Sequence, residues 1–297
     1  ANLRFIKIKS LKNFYFLTVL ILLSCSDKVS MQEFDSAEII KTIVLPKTIN
    51  ETSGLEFYNK NFITHNDSGD GPSLYVFNEN GDLIKTIDLN KDANFEIENN
   101  DWEDIASDDK YLYVADTGNN FGNRSNLNII RVNKEDDYKV DGIIEILYAD
   151  QETFFPRPKH KYDAEAILVI DEQLVLFSKD RENLNTDLYL VDKFEKAAQK
   201  LTSEFDFNVN SLITGGDYKN ELNLLALVSY NSKGNQYLIL FERFDLENLE
   251  ENTFKKYIIP LEKAQIESIK IIDKKTFWVT SEDEGIGNPF MYKLKVK

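Results

Sequence analysis

Pairs of carboxylates separated by one residue recur along this sequence, each just before an apolar segment. Asp101 and Glu103 form one pair, and Asp163 and Glu165 form another. Residues two apart on an extended strand point to the same side of that strand. Asp116 follows fifteen positions after Asp101, at the end of a second apolar run. We therefore predict an acidic strand, a tight turn, and a second strand that also ends in an acid.

This spacing recurs in register along the chain. Asp101, Glu103, Ile105 and Asp116 define a template. At five positions in the chain, the same offsets give a polar residue at the start of one strand, which we call the opener, and a second polar residue at the end of the next strand. The five openers are Glu51, Asp101, Asp163, Thr214 and Gln265, at intervals of 50, 62, 51 and 51 residues. Repeats of this length predict an array of similar supersecondary units.

Each repeat contains further strand patterns. The third strands are predicted at Leu74–Phe77, Ile129–Val132, Leu188–Val191, Leu238–Phe241 and Met291–Leu294. The fourth strands are predicted at Leu83–Leu89, Ile143–Tyr148, Leu201–Phe207 and Tyr257–Leu261. The fifth repeat lacks a fourth strand, and Ile39–Val44 is available to complete it.

Four-stranded units whose last member is completed by the N-terminal strand are typical of a β-propeller. We therefore predict an all-β fold, a five-bladed propeller of antiparallel strands that occupies residues 38–297. The long interval after Asp101 keeps six blades open as an alternative, and a β-sandwich is the other. Helix is expected only as short turns, at Lys193–Lys200 and Leu246–Asn252.

In a propeller the innermost strands line a central channel, so the acids at their starts converge. Carboxylates gathered on one axis repel one another unless protons or a cation neutralise them. Oxygen ligands of this kind suit Ca²⁺, which tolerates irregular geometry, or Mg²⁺. The alternative is that these acids bind only backbone amides and water. The predicted metal ligands are Glu51, Asp101, Glu103, Asp163, Glu165 and Glu267.

Polar residues at the ends of the second strands form a second predicted ring, which we interpret as a ligand-binding face. Its candidate residues are Asn66, Asp67, Asp116, Asn119, Arg124 and Lys179. If the protein is an enzyme, the candidates for catalysis are Glu165, Lys179 and His65. Two histidines are too few for a multi-histidine zinc site, and no nucleophile elbow, zincin motif or phosphate-binding loop is present.

The charge balance limits the possible partners. The formal net charge is −16, from 51 acidic against 35 basic residues. Nucleic-acid binding requires a basic surface, so the net charge argues against this class of partner, and we expect none. We expect a monomer that binds a ligand or another protein of the cell envelope.

The first 24 residues differ from the rest in composition. Basic residues precede the apolar run Phe14–Leu23, which is typical of a signal peptide and too short to span a membrane well. Cys25, the sole cysteine, follows this run as in the lipobox of a bacterial lipoprotein. We predict lipidation at Cys25, a flexible tether over 25–37, and an outer-membrane location facing the periplasm or the cell surface. The alternative is a buried cysteine behind an ordinary signal.

Several of these segments resemble a known group of bacterial secreted or lipid-anchored propellers. The segments are ETSGLEF, THNDSG, DWEDIA, ADTGNN with the later Arg124, DAEAI, FSK and TGGDY. They are similar to the SdiA-regulated family and to proteins with esterase-like activity of phytase, over about Glu51 to Val296. The resemblance implies a propeller, divalent-cation binding at Asp101, Glu103, Asp116, Asp163 and Glu165, and hydrolysis of phosphoric or carboxylic esters.

Two functional hypotheses follow. The first is a binding module that holds a ligand or partner on its loop face, with a cation in the channel. The second is a calcium-dependent phosphoesterase, which needs carboxylates, a metal ion and a positioned water. We favour the first, because the sequence offers little cationic density for a phosphate group. A purely structural role in the envelope is a third hypothesis, since the fold alone does not determine function.

Overall fold

A computed structural model describes residues 34–91, 93, 96–261, 264–283 and 287–297. Within these residues the secondary structure is almost entirely β. Twenty-two strands are present, with three short 3₁₀ turns at Lys47–Ile49, Asn220–Leu222 and Leu249–Glu251. None of the helices among the described residues has the length and apolar character needed to cross a bilayer. The predicted signal peptide and Cys25 lie outside the described residues.

The strands form five sheets, each of which is one blade of a β-propeller. Blade 1 contains β3 (Thr52–Tyr58), β4 (Asn61–Asn66), β5 (Ser73–Phe77) and β6 (Leu83–Asp88). Blade 2 contains β7 (Asp104–Ser107), β8 (Tyr111–Asp116), β9 (Asn128–Asn133) and β10 (Lys139–Tyr148). Blade 3 contains β11 (Ala164–Ile170), β12 (Gln173–Ser178), β13 (Thr186–Asp192) and β15 (Phe205–Phe207).

The remaining two blades have the same antiparallel order. Blade 4 contains β16 (Leu212–Lys219), β17 (Leu224–Tyr230), β18 (Gln236–Glu242) and β19 (Lys255–Ile259). Blade 5 contains β20 (Ile266–Asp273), β21 (Thr276–Ser281), β22 (Phe290–Lys295) and β2 (Glu38–Val44). Because β2 pairs with β22, the N-terminal strand completes the last blade. The predicted five blades and their closure are confirmed.

Two short strands add parallel partners at blade edges. β14 (Gln199–Leu201) pairs with β10, and β1 (Asp35–Ser36) pairs with β19. β1 lies within the segment 25–37 that we expected to form a tether. The single fourth strand predicted over Leu201–Phe207 is wrong, because its two ends pair with different blades as β14 and β15.

The apolar core consists of five clusters, one between each pair of neighbouring blades. Cluster members include Trp102 between blades 1 and 2, Tyr189 between blades 2 and 3, and Phe241 between blades 3 and 4. Phe277 and Phe62 belong to the clusters that blade 5 forms with blades 4 and 1. The ring therefore has no open side, and each sheet packs its apolar faces against two neighbours.

The five inner strands, β3, β7, β11, β16 and β20, place equivalent residues at the same end of the channel. Four of them contain a β-bulge close to their start. In β11 the bulge leaves Glu165 without a partner between Ala164 and Ala166, and in β20 it does the same for Glu267. A bulge redirects a side chain relative to the strict alternation of the strand. The start of the inner strands is therefore irregular where the acidic residues occur.

Two further local predictions differ from the structure. Asp101 and Glu103 were expected within a strand, but β7 begins only at Asp104. The Glu103 amide still donates to the Ala115 carbonyl, so the chain before β7 follows β8 without regular strand geometry. Lys193–Lys200 contains bends and the start of β14, and no helical turn.

Candidate metal centre

Carboxylates from blades 1, 2 and 3 meet at the end of the channel where the inner strands begin. One oxygen from each of Glu103, Asp163 and Glu165 lies within 4.8 Å of the other two. Asp67, Asp101 and Glu103 form a second group with the same property. Ligands that bind one Ca²⁺ at about 2.4 Å are at most about 4.8 Å apart. Both groups therefore have the spacing of a cation site, and Glu103 belongs to both.

Glu103 occupies the centre of this arrangement. Its side chain is buried, with the residue only 5 % exposed, and it forms no hydrogen bond or ion pair with any described residue. A buried carboxylate without a partner is strongly unfavourable, because burial removes the water that would otherwise solvate its charge. The position of Glu103 among four other carboxylates therefore requires a proton or a cation.

Gly118 makes this arrangement of carboxylates sterically possible. A Cβ atom at this position would overlap Oε1 of Glu103 and lie 2.5 Å from Oδ2 of Asp101. The Gly118 amide also donates to the Asp101 carbonyl, at 3.1 Å. Only glycine leaves room for both carboxylates beside the loop after β8. The donor set, made entirely of oxygen, and this steric allowance both fit a hard divalent cation.

Two cations border the carboxylates on the side of blade 3. Lys179 Nζ lies 3.0 Å from Oε2 of Glu165, and both side chains are buried. Arg181 contacts Oδ2 of Asp163 at 2.7 Å and Oε1 of Glu165 at 3.6 Å. Lys179 was predicted as a ligand-binding or catalytic residue, whereas Arg181 was missed. The position of Arg181 was the sequence feature that pointed to it, because β12 ends on this face at Ser178, three residues earlier.

Burial dominates the protonation of these acids. Burial raises the pKa of Asp67 to about 8, with a further contribution from Asp101. Burial also raises the pKa of Asp101 to about 6. It raises that of Glu165 to about 7, although Lys179 opposes this. The pKa of Glu103 is held well above its usual range by burial and by the neighbouring Glu165. The site therefore holds protons near neutral pH that a cation would displace.

The predicted ligand-binding residues mostly hold the loops of this face in place. Arg124 contacts Asp116 at 2.8 Å and donates to the Gly118 carbonyl at 2.6 Å. Asn119 donates its amide to Asp163 at 2.6 Å and accepts from the Arg124 amide at 2.9 Å. These bonds fix the loop that carries Gly118. Arg124 is thus paired with an acid adjacent to the carboxylate groups.

Asn66 has a similar role on blade 1. Its side-chain amide donates to the Thr48 carbonyl at 2.9 Å and to Asp70 at 2.8 Å. Its side-chain oxygen accepts from the Glu51 amide at 3.3 Å. These bonds hold the turn that presents Asp67. Glu51 itself lies outside both carboxylate groups.

Glu267 and His65 also lie outside the two groups. Glu267 is buried, its carboxylate accepts from the side chain of Gln265, and burial holds its pKa well above the usual range. His65 is fully buried and packs edge-on against Trp102, with ring centroids 5.5 Å apart. Burial lowers the pKa of His65 to about 4, so the ring is neutral at physiological pH.

A further buried acid, Asp104, lies between this site and the other end of the channel. Its carboxylate accepts hydrogen bonds from the amides of Ile105 (2.8 Å), Ile167 (3.0 Å) and Gly216 (3.2 Å). These amides belong to the inner strands of blades 2, 3 and 4. Asp104 therefore bridges the channel at mid-height, a role that the sequence analysis did not assign to it.

Near the far end of the inner strands a different charged cluster occurs. Lys270 Nζ lies 2.7 Å from Oε2 of Glu56 and 2.8 Å from Oδ1 of Asp217. The three residues come from blades 5, 1 and 4, and their side chains are at most 18 % exposed. Lysine between two acids neutralises part of their charge, so this end needs no metal ion to place its carboxylates.

Comparisons with known proteins give distant structural similarities only. No protein-family model matches the chain, and no curated protein matches it. Similar solved structures include a chain of a mitotic checkpoint complex, with 10 % identity, TM-score 0.46 and coverage of 96 % of this chain and 99 % of that one.

Two others are the Pan2 WD40 domain of Neurospora crassa and a hypothetical protein from Leishmania major. The Pan2 domain has 11 % identity, TM-score 0.38 and coverage of 85 % of this chain and 77 % of that one. The Leishmania protein has 8 % identity, TM-score 0.48 and coverage of 87 % and 91 %. The fold assignment rests on the sheet topology of this chain, and the resemblance to the SdiA-regulated and phytase-related families stays a prediction.

Proposed function

We propose that this five-bladed propeller is a binding module that holds a divalent cation between Asp67, Asp101, Glu103, Asp163 and Glu165. The observation that carries the proposal is the buried Glu103 carboxylate, which has no hydrogen-bond or ion-pair partner among the described residues and belongs to both groups of carboxylate oxygens. The cation would neutralise this end of the channel. Its remaining coordination positions would be open to an oxygen-bearing ligand on the adjoining loop face.

The chemistry of the donor set favours Ca²⁺. All five side chains are carboxylates, and they come from loops and irregular strand ends. Ca²⁺ accepts six to eight oxygens in variable geometry, whereas Mg²⁺ requires a nearly ideal octahedron and retains water. Nitrogen and sulfur ligands, which Zn²⁺ prefers, do not occur in either group.

The decisive test is a calcium-dependent thermal shift on purified protein that has been treated with EDTA. Addition of Ca²⁺ should raise the melting temperature of the wild type, since a ligand that binds only the folded state stabilises it. The double variant Asp101→Asn with Glu103→Gln should lose this gain. Glu242→Gln, an exposed change at the outer end of blade 4, is the matched control and should keep the gain.

Elemental analysis of the protein before EDTA treatment identifies the bound metal. A wild-type protein whose melting temperature does not respond to Ca²⁺, Mg²⁺ or Mn²⁺ contradicts the proposal. In that case the acids of this end are held by protons alone.

A second candidate is a calcium-dependent hydrolase of phosphate esters. Lys179 and Arg181 lie beside the carboxylates, as cationic groups do in such sites, but both are paired with Glu165 or Asp163. This pairing favours the binding module. Turnover of an aryl phosphate with Ca²⁺, lost in Glu165→Gln, would support the hydrolase. No turnover across phosphate and carboxylic esters would leave the binding module.

We also propose that the propeller is anchored to the bacterial outer membrane through Cys25. The support is the basic and apolar pattern before this sole cysteine. A Cys25→Ser variant should appear in the soluble fraction while the wild type sediments with membranes. Sedimentation of both proteins would contradict the anchor.

A further inference from the structure

A cavity of about 830 Å³ opens at the end of the channel opposite the candidate metal centre. All five blades contribute to its wall, through loops that follow the inner strands and through neighbouring strand ends. One lining residue from each blade, in order, is Phe57, Asp109, Phe194, Glu221 and Lys293. A concave site on the axis of the fold, open to solvent, is a typical position for a small-molecule ligand.

The floor of this cavity carries an excess negative charge. Glu56 and Asp217 line it, together with the single ammonium group that contacts both, Lys270. The amide of Phe57 donates to Oε2 of Glu56 at 3.1 Å. No described residue donates to the other oxygen, Oε1, of Glu56. The cavity floor therefore presents a hydrogen-bond acceptor, Oε1 of Glu56, to a ligand, and its lysine is already paired with two acids.

The other lysines of the wall are already engaged, Lys110 and Lys293 by contacts with the rings of Tyr111 and Trp278. Lys193 lies 3.3 Å from Asp108 and 3.7 Å from Glu172. Lys219 donates to the carbonyl of Ile272 at 2.8 Å. Four lining carboxylates, in contrast, form no ion pair with any described residue. These are Glu79, Asp109, Asp171 and Glu221. The electrostatic field inside the cavity thus favours a positively charged ligand.

Aromatic side chains supply the apolar part of the site. Phe57 and Phe194 are 43 % and 55 % exposed although they border a cavity. Trp278 also lines the wall. Rings of this wall already contact cationic groups, since Arg131 lies 4.8 Å from the ring centroid of Phe194 and Lys293 lies 5.2 Å from that of Trp278. Exposed aromatic rings next to carboxylates bind organic cations, because the ring face attracts positive charge and its edge contacts the apolar part.

We propose that this cavity is a second binding site, for a small organic cation: an amine that carries an aromatic or aliphatic group. A phosphate or carboxylate ligand would meet uncompensated acids, and a purely apolar ligand would leave the floor unsatisfied. A bare metal ion would not use the exposed rings. The site is separate from the candidate metal centre, since Asp104 bridges the channel between them.

The experiment uses phenethylamine as the probe, with isothermal titration and saturation-transfer NMR on the full chain in EDTA. The matched compounds are 2-phenylethanol, which is neutral, and phenylacetate, which is anionic. Phenethylamine should bind at one site per chain, 2-phenylethanol at least about tenfold more weakly, and phenylacetate not detectably. Binding should persist in Glu103→Gln, because that residue lies at the other end of the channel.

Two rim variants test the location without disturbing the buried floor. Phe194→Ala should weaken phenethylamine binding by about fivefold through loss of the ring. Asp109→Asn with Glu221→Gln should weaken it by about threefold, since both acids are exposed. Glu242→Gln should have no effect. Equal binding of the three compounds, no binding of phenethylamine, or binding unchanged by both rim variants would overturn the proposal.

Discussion

The two ends of the central channel bury acids in different ways. At the metal-centre end, Asp67, Asp101 and Glu103 form no ion pair with any described residue, although Lys179 and Arg181 pair with the acids of blade 3. At the cavity end, both buried acids contact the same lysine, within 2.8 Å. The carboxylates of the metal-centre end therefore depend on protons or on an added cation, whereas those of the cavity end are partly neutralised by a lysine of the protein.

Asp104, which lies between the two ends, is a buried carboxylate stabilised in a third way. Burial raises its pKa well above the usual range, and three backbone amides oppose that rise. Hydrogen bonds from amides of three blades satisfy the carboxylate without any positive side chain. The comparison teaches that a buried acid in this channel needs a partner, and that Glu103 is the acid for which the described residues provide none.

The largest effect is expected from removing the cation that the cavity end contains. Lys270→Met would leave Glu56 and Asp217 buried beside an apolar chain. Loss of one partner from a buried ion pair typically lowers the free energy of unfolding by about 3–5 kcal/mol. Urea unfolding followed by fluorescence measures this change.

The control for this variant is Lys255→Met, which breaks an ion pair with Glu242 whose side chains are both 64 % exposed. No measurable change is expected there, because solvent screens exposed pairs. A Lys270→Met protein as stable as the wild type would show that the cavity end does not depend on its lysine, and the comparison between the two ends would fail.

The next largest effect concerns pH at the metal-centre end. A carboxyl group whose pKa is raised on folding binds its proton more tightly in the folded state, so stability is lost as pH rises through the folded pKa. The pKa of Glu165 rises to about 7 and that of Asp67 to about 8. In EDTA, the free energy of unfolding should therefore fall by about 2 kcal/mol between pH 6.5 and 8.5.

Urea unfolding at a series of pH values checks this prediction. Both histidines, whose pKa values are lowered in the folded state, act in the opposite direction only at the low end of this window, where the unfolded chain still protonates them. Ca²⁺ should reduce the slope, since it replaces the protons. Glu103→Gln should reduce it as well. Stability that rises with pH in EDTA would mean that these acids are ionised in the folded state without a cation.

Spacing in the sequence predicted the blades because each repeat carries the same alternation of openers, strands and turns. The pairs Asp101 with Glu103 and Asp163 with Glu165 predicted the position of the acids for the same reason. The bulge at Glu165 was not predictable, because an unpaired residue within a strand leaves no distinct pattern in composition.

Contacts between blades were the other feature that the sequence did not predict. Lys270 meets Glu56 and Asp217 only because blade 5 lies between blades 4 and 1 and the three inner strands have a common register. Those residues are far apart in sequence and share no motif. Arg181 was missed because the repeat template ends at Ser178, and Arg181 lies three residues beyond that position. The repeat pattern of each blade can thus be read from a short stretch of sequence, whereas the ion pairs between blades depend on how the blades pack around the axis.

A smaller effect is expected from filling the space beside the carboxylates. In Gly118→Ala the new Cβ would displace Glu103 and Asp101, which it would otherwise approach within 2.5 Å. We expect Ca²⁺ affinity to fall about tenfold, equivalent to about 1.4 kcal/mol. Isothermal titration with Ca²⁺ measures it. Gly234→Ala is a control in open space, although its positive φ adds backbone strain. Unchanged affinity in Gly118→Ala would place the cation elsewhere.

The smallest effect is expected at His65, the candidate acid or base near the acidic end. Its Nδ1 lies 3.0 Å from the Asn66 carbonyl and the ring is fully buried against Trp102. Burial lowers the pKa of His65 to about 4, because the charged imidazolium would lose its hydration. Its ring proton shifts in NMR spectra should therefore change little between pH 5.5 and 8. A titration near pH 6.5, absent in His65→Gln, would show that solvent reaches the ring. In that case His65 could exchange protons with the acids of the metal-centre end, and burial alone would not separate it from them.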